Sequence, residues 1–398
     1  MRNKKIRALI ASLIINLCIG SIYAWSVFAG PLSESFGWSA SATALTFTIA
    51  NGVGPVTMII GGRLQDMYGP KWVVLAGAFL FGGGMFASGF VESVTMMYVT
   101  YGLCMGFGLG TIYTCTIANT VKLFPERKGL ISGATTCVYG LATVVAAPLA
   151  QKLIVMYGVS AAFRILGEAY FIIVAVCSQF LIKAEVSTSE NSAGCSIDKT
   201  WRQMLTQPSF YVFLIMLLFG ATSGLMIISQ ASIIAQELIK VGAATAAAGV
   251  SIIAIANALG RIILGRISDR AGRYTVLTGM FIILAVSMLA LTSVGEGQWI
   301  LFLILVMAAG FCFGGFMGIF PALTAEKFGI INNGVNYGFM FIGFAVGGYI
   351  GPKLATALKI TLLGMYSMAF VIAAAMAAAG IAVAAVLNIR DRRAACET

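Results

Sequence analysis

An arginine and an asparagine stand one helical turn apart inside a long apolar run, and together they could bind a carboxylate. Arg261 and Asn257 lie in the stretch IANALGRIILGRISD. A guanidinium can donate two parallel hydrogen bonds to a carboxylate, and an amide four residues earlier lies on the same helical face and can supply another donor. On spacing alone two interpretations stay open. The pair is an anion-binding site, or the arginine extends its head from an apolar helix toward water.

Two charged octets bracketed by glycine form the second chemical feature. GRLQDMYG occupies 62–69 and GRISDRAG occupies 265–272, 203 positions later. An Asp at a helix end can face the positive N-terminal end of a neighbouring helix, which stabilises it by about 0.3–1 kcal/mol, and the glycines permit tight turns. If the contact exists in one conformation only, it biases a conformational equilibrium. The alternative is an ordinary charged loop. The candidate switch residues are Gly62, Asp66, Gly69, Gly265, Asp269, Arg270 and Gly272.

The composition predicts a protein that crosses a membrane many times. Of 398 residues, 60% are hydrophobic and 10% are charged, whereas soluble domains are about 25% charged. The chain contains no histidine and no CxxC pair, so we predict no metal site and no cofactor. The net charge of +11 lies in short clusters between apolar runs. That distribution is typical of membrane topology, and we expect a lipid bilayer rather than a nucleic acid as the partner.

Twelve runs are long enough to span a bilayer, which needs about 20 mostly apolar residues. They cover residues 7–30, 40–61, 72–91, 95–119, 130–151, 161–182, 208–232, 244–264, 274–294, 298–322, 336–357 and 364–388. With the N-terminus inside, the predicted cytosolic segments hold 19 of the 25 Lys and Arg residues. This bias predicts that both termini are cytosolic. A polar segment, 184–204, is interpreted as a linker between six-helix bundles at 1–183 and 205–398.

The second half of the chain repeats features of the first. The octets follow the second and eighth predicted spans, and a ladder of glycines in the fourth span recurs in the tenth. The ladders are Gly102, Gly106, Gly110 and Gly310, Gly314, Gly318. Small residues at every fourth position allow helices to pack closely in lipid. Because each half has six spans, both halves have the same orientation. The sequence therefore predicts an all-α membrane protein with two parallel six-helix repeats, an arrangement that resembles the major facilitator transporters.

A narrower resemblance extends over essentially the whole chain and is carried most specifically by four short stretches. GSIYAWSVFAGPL, KLFPERKGLISG, GRIILGRISDRAGRY and NYGFMFIGFAVGG resemble the oxalate/formate antiporter family and its bacterial relatives that carry monocarboxylates. The resemblance implies that Arg261 binds a substrate carboxylate and that Tyr23 and Tyr113 line the cavity. Phe313 falls at an aromatic position of the tenth span. Phe344 falls where the oxalate carrier has a second cation, a lysine.

The resemblance implies a function, and the departure at Phe344 modifies it. One fixed positive charge favours a monocarboxylate such as pyruvate, lactate or formate over a dicarboxylate. We therefore expect a monomeric secondary transporter of small organic anions, in a bacterial inner membrane, that works by alternating access. An exchanger of the oxalate/formate type is the alternative, and proton co-transport stays open. A membrane sensor or an enzyme is less favoured, because an enzyme needs convergent catalytic groups that the sequence does not supply.

Three further charged residues fall near the predicted outer ends of spans. Arg164 and Glu168 are four residues apart, a spacing at which opposite charges can pair on a helix. Lys353 follows Pro352 in the eleventh span. We interpret the first two as a structural ion pair and the lysine as a side chain that extends toward water.

Overall fold

Helices dominate the part of the chain that the structure describes. The structure is a computed structural model and describes residues 2–184, 198–361 and 366–396. A backbone that crosses hydrocarbon must satisfy its N–H and C=O groups internally, which a helix does. Within those ranges the α-helices are α1 (Arg2–Ile19), α2 (Trp25–Phe36), α3 (Ala40–Gly52), α4 (Gly54–Tyr68), α5 (Pro70–Ala87), α6 (Val94–Met97), α7 (Gly106–Leu123), α8 (Lys128–Tyr157), α9 (Val159–Ser178), α10 (Trp201–Leu205), α11 (Pro208–Glu237), α12 (Ala243–Ala271), α13 (Arg273–Leu291), α14 (Trp299–Phe328), α15 (Asn333–Thr361) and α16 (Ser367–Cys396).

The twelve predicted spans are confirmed. Within the described ranges, twelve helical segments are long and apolar enough to cross a membrane. The first joins α1 to α2 through a 3₁₀-helix, Gly20–Ala24, and the fourth contains a π-helix, Tyr98–Met105, before α7. Pro70 and Pro208 open α5 and α11; at the first turn proline loses no helical hydrogen bond. Of the predicted linker 184–204, residues 185–197 lie outside the described ranges, and α10 forms close to its end.

The octets differ from the prediction of charged loops. All but one residue of each octet belongs to the last turns of α4 and α12, which extend past the predicted span ends at 61 and 264. A single glycine connects each helix to the next: Gly69 has φ +84° and Gly272 has φ +86°. Such angles are strained for residues with a side chain. The tight turn is therefore confirmed for these two glycines, while the charged residues extend the helices.

The described chain groups into two compact units. The first contains Met1–Pro125, Val138–Met204 and Thr324–Phe339, and the second contains Glu126–Cys137, Leu205–Leu323 and Met340–Thr398. Each unit thus includes a short segment that lies in the other half of the sequence. The first turns of α8 belong to the second unit, and those of α15 belong to the first.

The glycine ladder of α14 packs against the helix that carries Arg261. A Cβ atom at any of the three glycines would collide with α12. A Cβ added at Gly310 would lie 2.8 Å from Ile253 Cγ2, and one added at Gly314 would lie 2.9 Å from the carbonyl carbon of Asn257. A Cβ added at Gly318 would lie 2.5 Å from the carbonyl oxygen of Arg261. The predicted role of the ladder in close helix packing is therefore confirmed. The close contact also holds the Arg261 backbone against α14.

The matching ladder in the first repeat packs against the second span. A Cβ at Gly102 would lie 2.9 Å from Ile49 Cγ2, and one at Gly106 would lie 2.9 Å from the Cα of Ala50. One turn later, Gly110 faces the Thr57 hydroxyl. The repeat predicted from the sequence therefore reappears as the same helix-to-helix contact in each unit.

Candidate functional site

Arg261 is a buried cation held by two neutral acceptors. Its side chain is 7% exposed. Arg261 Nε donates to Asn257 Oδ1 at 3.0 Å, and Nη1 donates to the backbone carbonyl of Thr136 at 2.5 Å. The side chain therefore turns toward protein, whereas the alternative of an arginine extended to water predicts an exposed head.

Protein carboxylates do not neutralise Arg261 in the described part of the chain. The salt bridges Lys122–Asp66 and Arg273–Asp269, each within 4.0 Å, do not involve Arg261. A buried charge is costly unless it is paired, and ionisable residues within membrane spans mark sites of function by default. The chemistry that fits this guanidinium is a small anion that supplies the missing negative charge.

The acceptor Thr136 lies on a different helix, and a glycine lets that helix approach. Gly133, three residues earlier on α8, faces the backbone carbonyl of Arg261, and a Cβ there would also lie 3.2 Å from the Cα of Ile262. The two backbones therefore run in direct contact. This places the Thr136 carbonyl at the guanidinium.

The predicted aromatic residues of the second unit lie together. The rings of Phe313 and Phe344 stack with their centroids 6.2 Å apart, and Phe341 lies 4.4 Å from Phe344. Phe313 is 3% exposed, and Phe344 is half-buried. Gly224 on α11 leaves room for the Phe313 ring. The structure therefore provides an aromatic surface at the position where the resemblance implies a lysine in the oxalate carrier.

The predicted tyrosines of the first unit are linked by a third tyrosine. Tyr139 lies 5.4 Å from Tyr23 in an edge-on arrangement and 4.6 Å from Tyr113. Tyr23 stands in the 3₁₀-helix of the first span and is 40% exposed, while Tyr113 is 6% exposed. Tyr139 on α8 was not among the predicted cavity residues. An aromatic residue among the small and polar residues of this span is only a weak indication of a binding site.

Asp269 binds the first turn of α8. Its two carboxylate oxygens accept the backbone N–H groups of Gly129 and Leu130, each at 2.8 Å. Arg273 Nη2 donates to the same carboxylate at 2.7 Å. The predicted contact between an octet Asp and a helix N-terminus is therefore present, and it joins a helix of the second sequence repeat to one of the first.

Asp66 makes the equivalent contact in the first unit. It accepts the N–H groups of Gly334 at 3.3 Å and Val335 at 3.0 Å, in the first turn of α15. Lys122 Nζ approaches the same carboxylate to 2.5 Å and also donates to the carbonyl of Ile331. The carboxylate and the helix N-terminus repeat between the units, whereas the cation comes from a different element in each.

The leading glycine of each octet has a role that was not predicted. A Cβ at Gly62 would meet the backbone carbonyl of Gly334, and one at Gly265 would meet the carbonyl oxygen of Gly129. Turn formation is therefore the wrong role for these two glycines. They allow α4 to approach α15, and α12 to approach α8, where the Asp contacts form.

The cation that pairs with Asp269 lies one residue beyond the second octet. Arg270 is exposed, and Arg273 pairs with Asp269. Lys122, which pairs with Asp66, likewise lies outside its octet. One signal was available for the helix N-termini: Gly129 and Gly334 are 205 residues apart, close to the spacing of the octets.

Two of the three further charged residues, Arg164 and Lys353, lie over aromatic rings. The guanidinium of Arg164 lies 5.1 Å from the Phe90 ring centroid, and Glu168 is not among the salt bridges of the described residues. The expected ion pair is therefore wrong for this structure. Lys353 lies 4.1 Å from the Tyr349 ring centroid and is exposed, as a side chain that extends toward water would be.

Comparisons with known proteins agree with this architecture. The family model described as Major Facilitator Superfamily matches residues 9–352 and 231–395. The uncharacterised MFS-type transporter YhjX of Escherichia coli (strain K12) is 32% identical over 342 residues, with 85% of this chain and 84% of YhjX covered. The oxalate:formate antiporter of Oxalobacter formigenes is 27% identical over 360 residues, with 89% and 85% covered.

A solved structure extends the likeness to the fold. The crystal structure of the transporter FucP in the outward conformation superposes with a TM-score of 0.72. The alignment covers 96% of this chain and 98% of FucP at 16% identity. At that identity the likeness concerns the fold alone.

Proposed function

The chain belongs to the major facilitator superfamily, and on that premise we propose that it is a secondary active transporter of small organic anions that works by alternating access. It is a multi-pass membrane protein whose described residues contain twelve helical segments long and apolar enough to cross a membrane, and the family places it among transporters rather than enzymes. The similarity to the oxalate:formate antiporter supports an organic anion as the substrate. The charge bias of the sequence supports an inner-membrane protein with both termini in the cytosol.

The observation that carries the proposal is the uncompensated charge of Arg261. A guanidinium that is 7% exposed and lacks a protein carboxylate in the described ranges is stable only if an anion or water completes its surroundings. A planar guanidinium matches the geometry of a carboxylate. Arg261 therefore anchors the substrate through its carboxylate.

The aromatic surface of the second unit supports a single carboxylate, because the resemblance places Phe344 where the oxalate carrier has its second cation. Phe344 stacks on Phe313, and neither ring can neutralise a second negative charge. Burial of an unpaired carboxylate costs several kcal/mol. Monocarboxylates of the formate, lactate or pyruvate class are thus favoured, with oxalate/formate exchange as the second candidate because of the resemblance to that antiporter.

The two Asp contacts supply a conformational bias. Asp66 and Asp269 each join a helix of one sequence repeat to the first turn of a helix from the other. Because a carboxylate at a helix N-terminus is stabilised only while the two helices touch, these contacts favour the access state in which they form. They control turnover and do not bind the substrate.

Counterflow in proteoliposomes tests the proposal. Vesicles loaded with an unlabelled anion should take up the labelled anion from outside without any ion gradient. Formate, acetate, lactate, pyruvate and oxalate are compared, with protein-free vesicles as the control. Uptake of at least one monocarboxylate above the control supports anion transport, and no exchange of any of the anions contradicts it. A proton gradient applied afterward separates proton symport from exchange.

A further inference from the structure

The surroundings of Arg261 leave one end of the guanidinium open. Nε is occupied by Asn257 Oδ1 and one hydrogen of Nη1 by the Thr136 carbonyl. Nη1 carries a second hydrogen and Nη2 carries two. In the described ranges, no hydrogen-bond partner is found for Nη2. The unoccupied donors are therefore at the Nη2 end, while the Nε edge is closed.

We propose that Asn257 is a positioning residue that closes the Nε edge, so that the carboxylate of the substrate binds at the Nη2 end. The proposal rests on the proposed function, because it assumes that Arg261 is the anchor. It changes the role expected for Asn257 from the sequence: the side chain orients the arginine and does not contact the anion.

The chemistry of the two side chains supports this orientation. A guanidinium has five N–H donors and no acceptor, so the Asn257 atom that faces Nε must be its carbonyl oxygen. The two residues are four apart on α12, a spacing that places them on one face. Asn257 is half-buried. Its amide oxygen accepts the Nε hydrogen bond of Arg261, which a leucine at this position could not accept.

Neutrality is the decisive property of both acceptors. An amide oxygen and a backbone carbonyl fix the direction of the guanidinium without cancelling its charge. An Asp at position 257 would have nearly the same shape, but it would form an ion pair with Arg261 and compete with the substrate carboxylate. The structure thus holds the anchor rigid and keeps it cationic.

Two further features of the second unit make the orientation rigid. Gly318 and Gly133 bring α14 and α8 against the backbone carbonyl of Arg261. The Thr136 carbonyl is a main-chain group of a packed helix, so it cannot rotate away. The bond to Asn257 is then the side-chain contact that decides which edge of the guanidinium is offered.

Substitutions at position 257 separate orientation from charge. Asn257→Asp keeps the shape and adds a charge, Asn257→Leu removes the acceptor, and Asn257→Gln keeps a neutral acceptor. Asn388→Asp, the same change at a half-buried residue of α16 in the same unit, is the control. Each variant is purified, its melting temperature is measured, and KM and the maximal rate of counterflow are determined for the best monocarboxylate found with wild type.

We expect Asn257→Asp to fold with an unchanged or higher melting temperature and to raise KM by at least about a hundredfold, because the new ion pair excludes the substrate. Asn257→Leu should raise KM by about tenfold, equivalent to about 1.4 kcal/mol, with a smaller effect on the maximal rate. Asn257→Gln should recover most of the affinity. The Asn388→Asp control should behave as wild type.

Two outcomes would overturn the proposal. A normal KM in Asn257→Asp would show that the acceptor at position 257 need not be neutral. A normal KM in Asn257→Leu would show that substrate binding does not require an acceptor there to orient the guanidinium. If Arg261→Gln abolishes transport while Asn257→Asp and Asn257→Leu behave as wild type, the anchor stands and the positioning role fails. If Arg261→Gln transports normally, the proposed anchor itself fails.

Discussion

Asp66 and Asp269 are equivalent in sequence and in contact: each carboxylate accepts two backbone N–H groups from the first turn of a helix. For Asp66 this is α15 and for Asp269 it is α8. A helix N-terminus carries a partial positive charge and free N–H groups. One carboxylate therefore both balances the charge and accepts the hydrogen bonds. The duplicated octets therefore carry the same helix-to-helix contact twice.

Substitution of Asp66 should alter turnover rather than binding. Asp66→Asn removes the charge that Lys122 and the first turn of α15 stabilise, so the state with the contact becomes less populated. We expect about tenfold slower counterflow and a KM near that of wild type. Substrate affinity by thermal shift and turnover by counterflow provide the two measurements.

The control for this change is Glu126→Gln, which removes an exposed carboxylate and should have little effect. A different pattern would contradict the conformational role. If Asp66→Asn weakened binding and left turnover unchanged, Asp66 would have to act on the substrate site.

The close approach at Gly62 predicts a steric effect. Gly62→Ala places a Cβ against the carbonyl of Gly334, and overpacking of this kind costs about 1–3 kcal/mol. We expect a lower melting temperature and slower turnover. Gly279→Ala is the matched control, because a Cβ at that helical glycine meets no atom within 4 Å. Equal melting temperatures for the two variants would contradict the packing role.

Phe344 predicts the preference among substrates. An oxalate bound to Arg261 would bury its second carboxylate without a partner, at a cost of several kcal/mol. Because each 1.4 kcal/mol is tenfold in affinity, we expect monocarboxylates to bind at least about a hundredfold more tightly than oxalate. Competition of unlabelled lactate, pyruvate and oxalate against labelled substrate measures this ratio.

A charge-adding variant tests the same argument from the other side. Phe344→Lys should narrow or reverse the preference while its ammonium stays protonated, and Phe344→Leu should not. If wild type already prefers oxalate, the argument from a single cation is wrong, and another basic residue, Lys353 first, must contribute.

Much of the fold was predictable because membrane spans have a strong signature. Twenty apolar residues in a row identify a helix, and the repeat located the two octets. The helix ends were less predictable, since Asp66 and Asp269 look like loop residues until their partners are known. The physical reason is that a helix can continue into charged sequence when a neighbouring N-terminus satisfies the charge.

The charged residue of the site could be predicted from the sequence, whereas the groups that contact it were harder to predict. Arg261 stands out as a cation in an apolar span, and Asn257 follows from helical spacing. The Thr136 carbonyl leaves no trace in the sequence, because every residue has one. The choice of Arg273 over Arg270 depends on which side of α12 faces α8, and the Phe90 ring beside Arg164 depends on how the third span packs against the sixth.

The central claim is that Arg261 binds the carboxylate of the transported anion, and one comparison tests it most directly. Purified Arg261→Gln and Arg266→Gln, an exposed arginine on the same helix, are compared with wild type in ligand-induced thermal shift and counterflow. We predict that Arg261→Gln melts cooperatively yet loses both the shift and the transport, whereas Arg266→Gln retains them. Arg261→Lys should also bind poorly, because an ammonium lacks the planar fork. Wild-type binding and transport by Arg261→Gln would contradict the account.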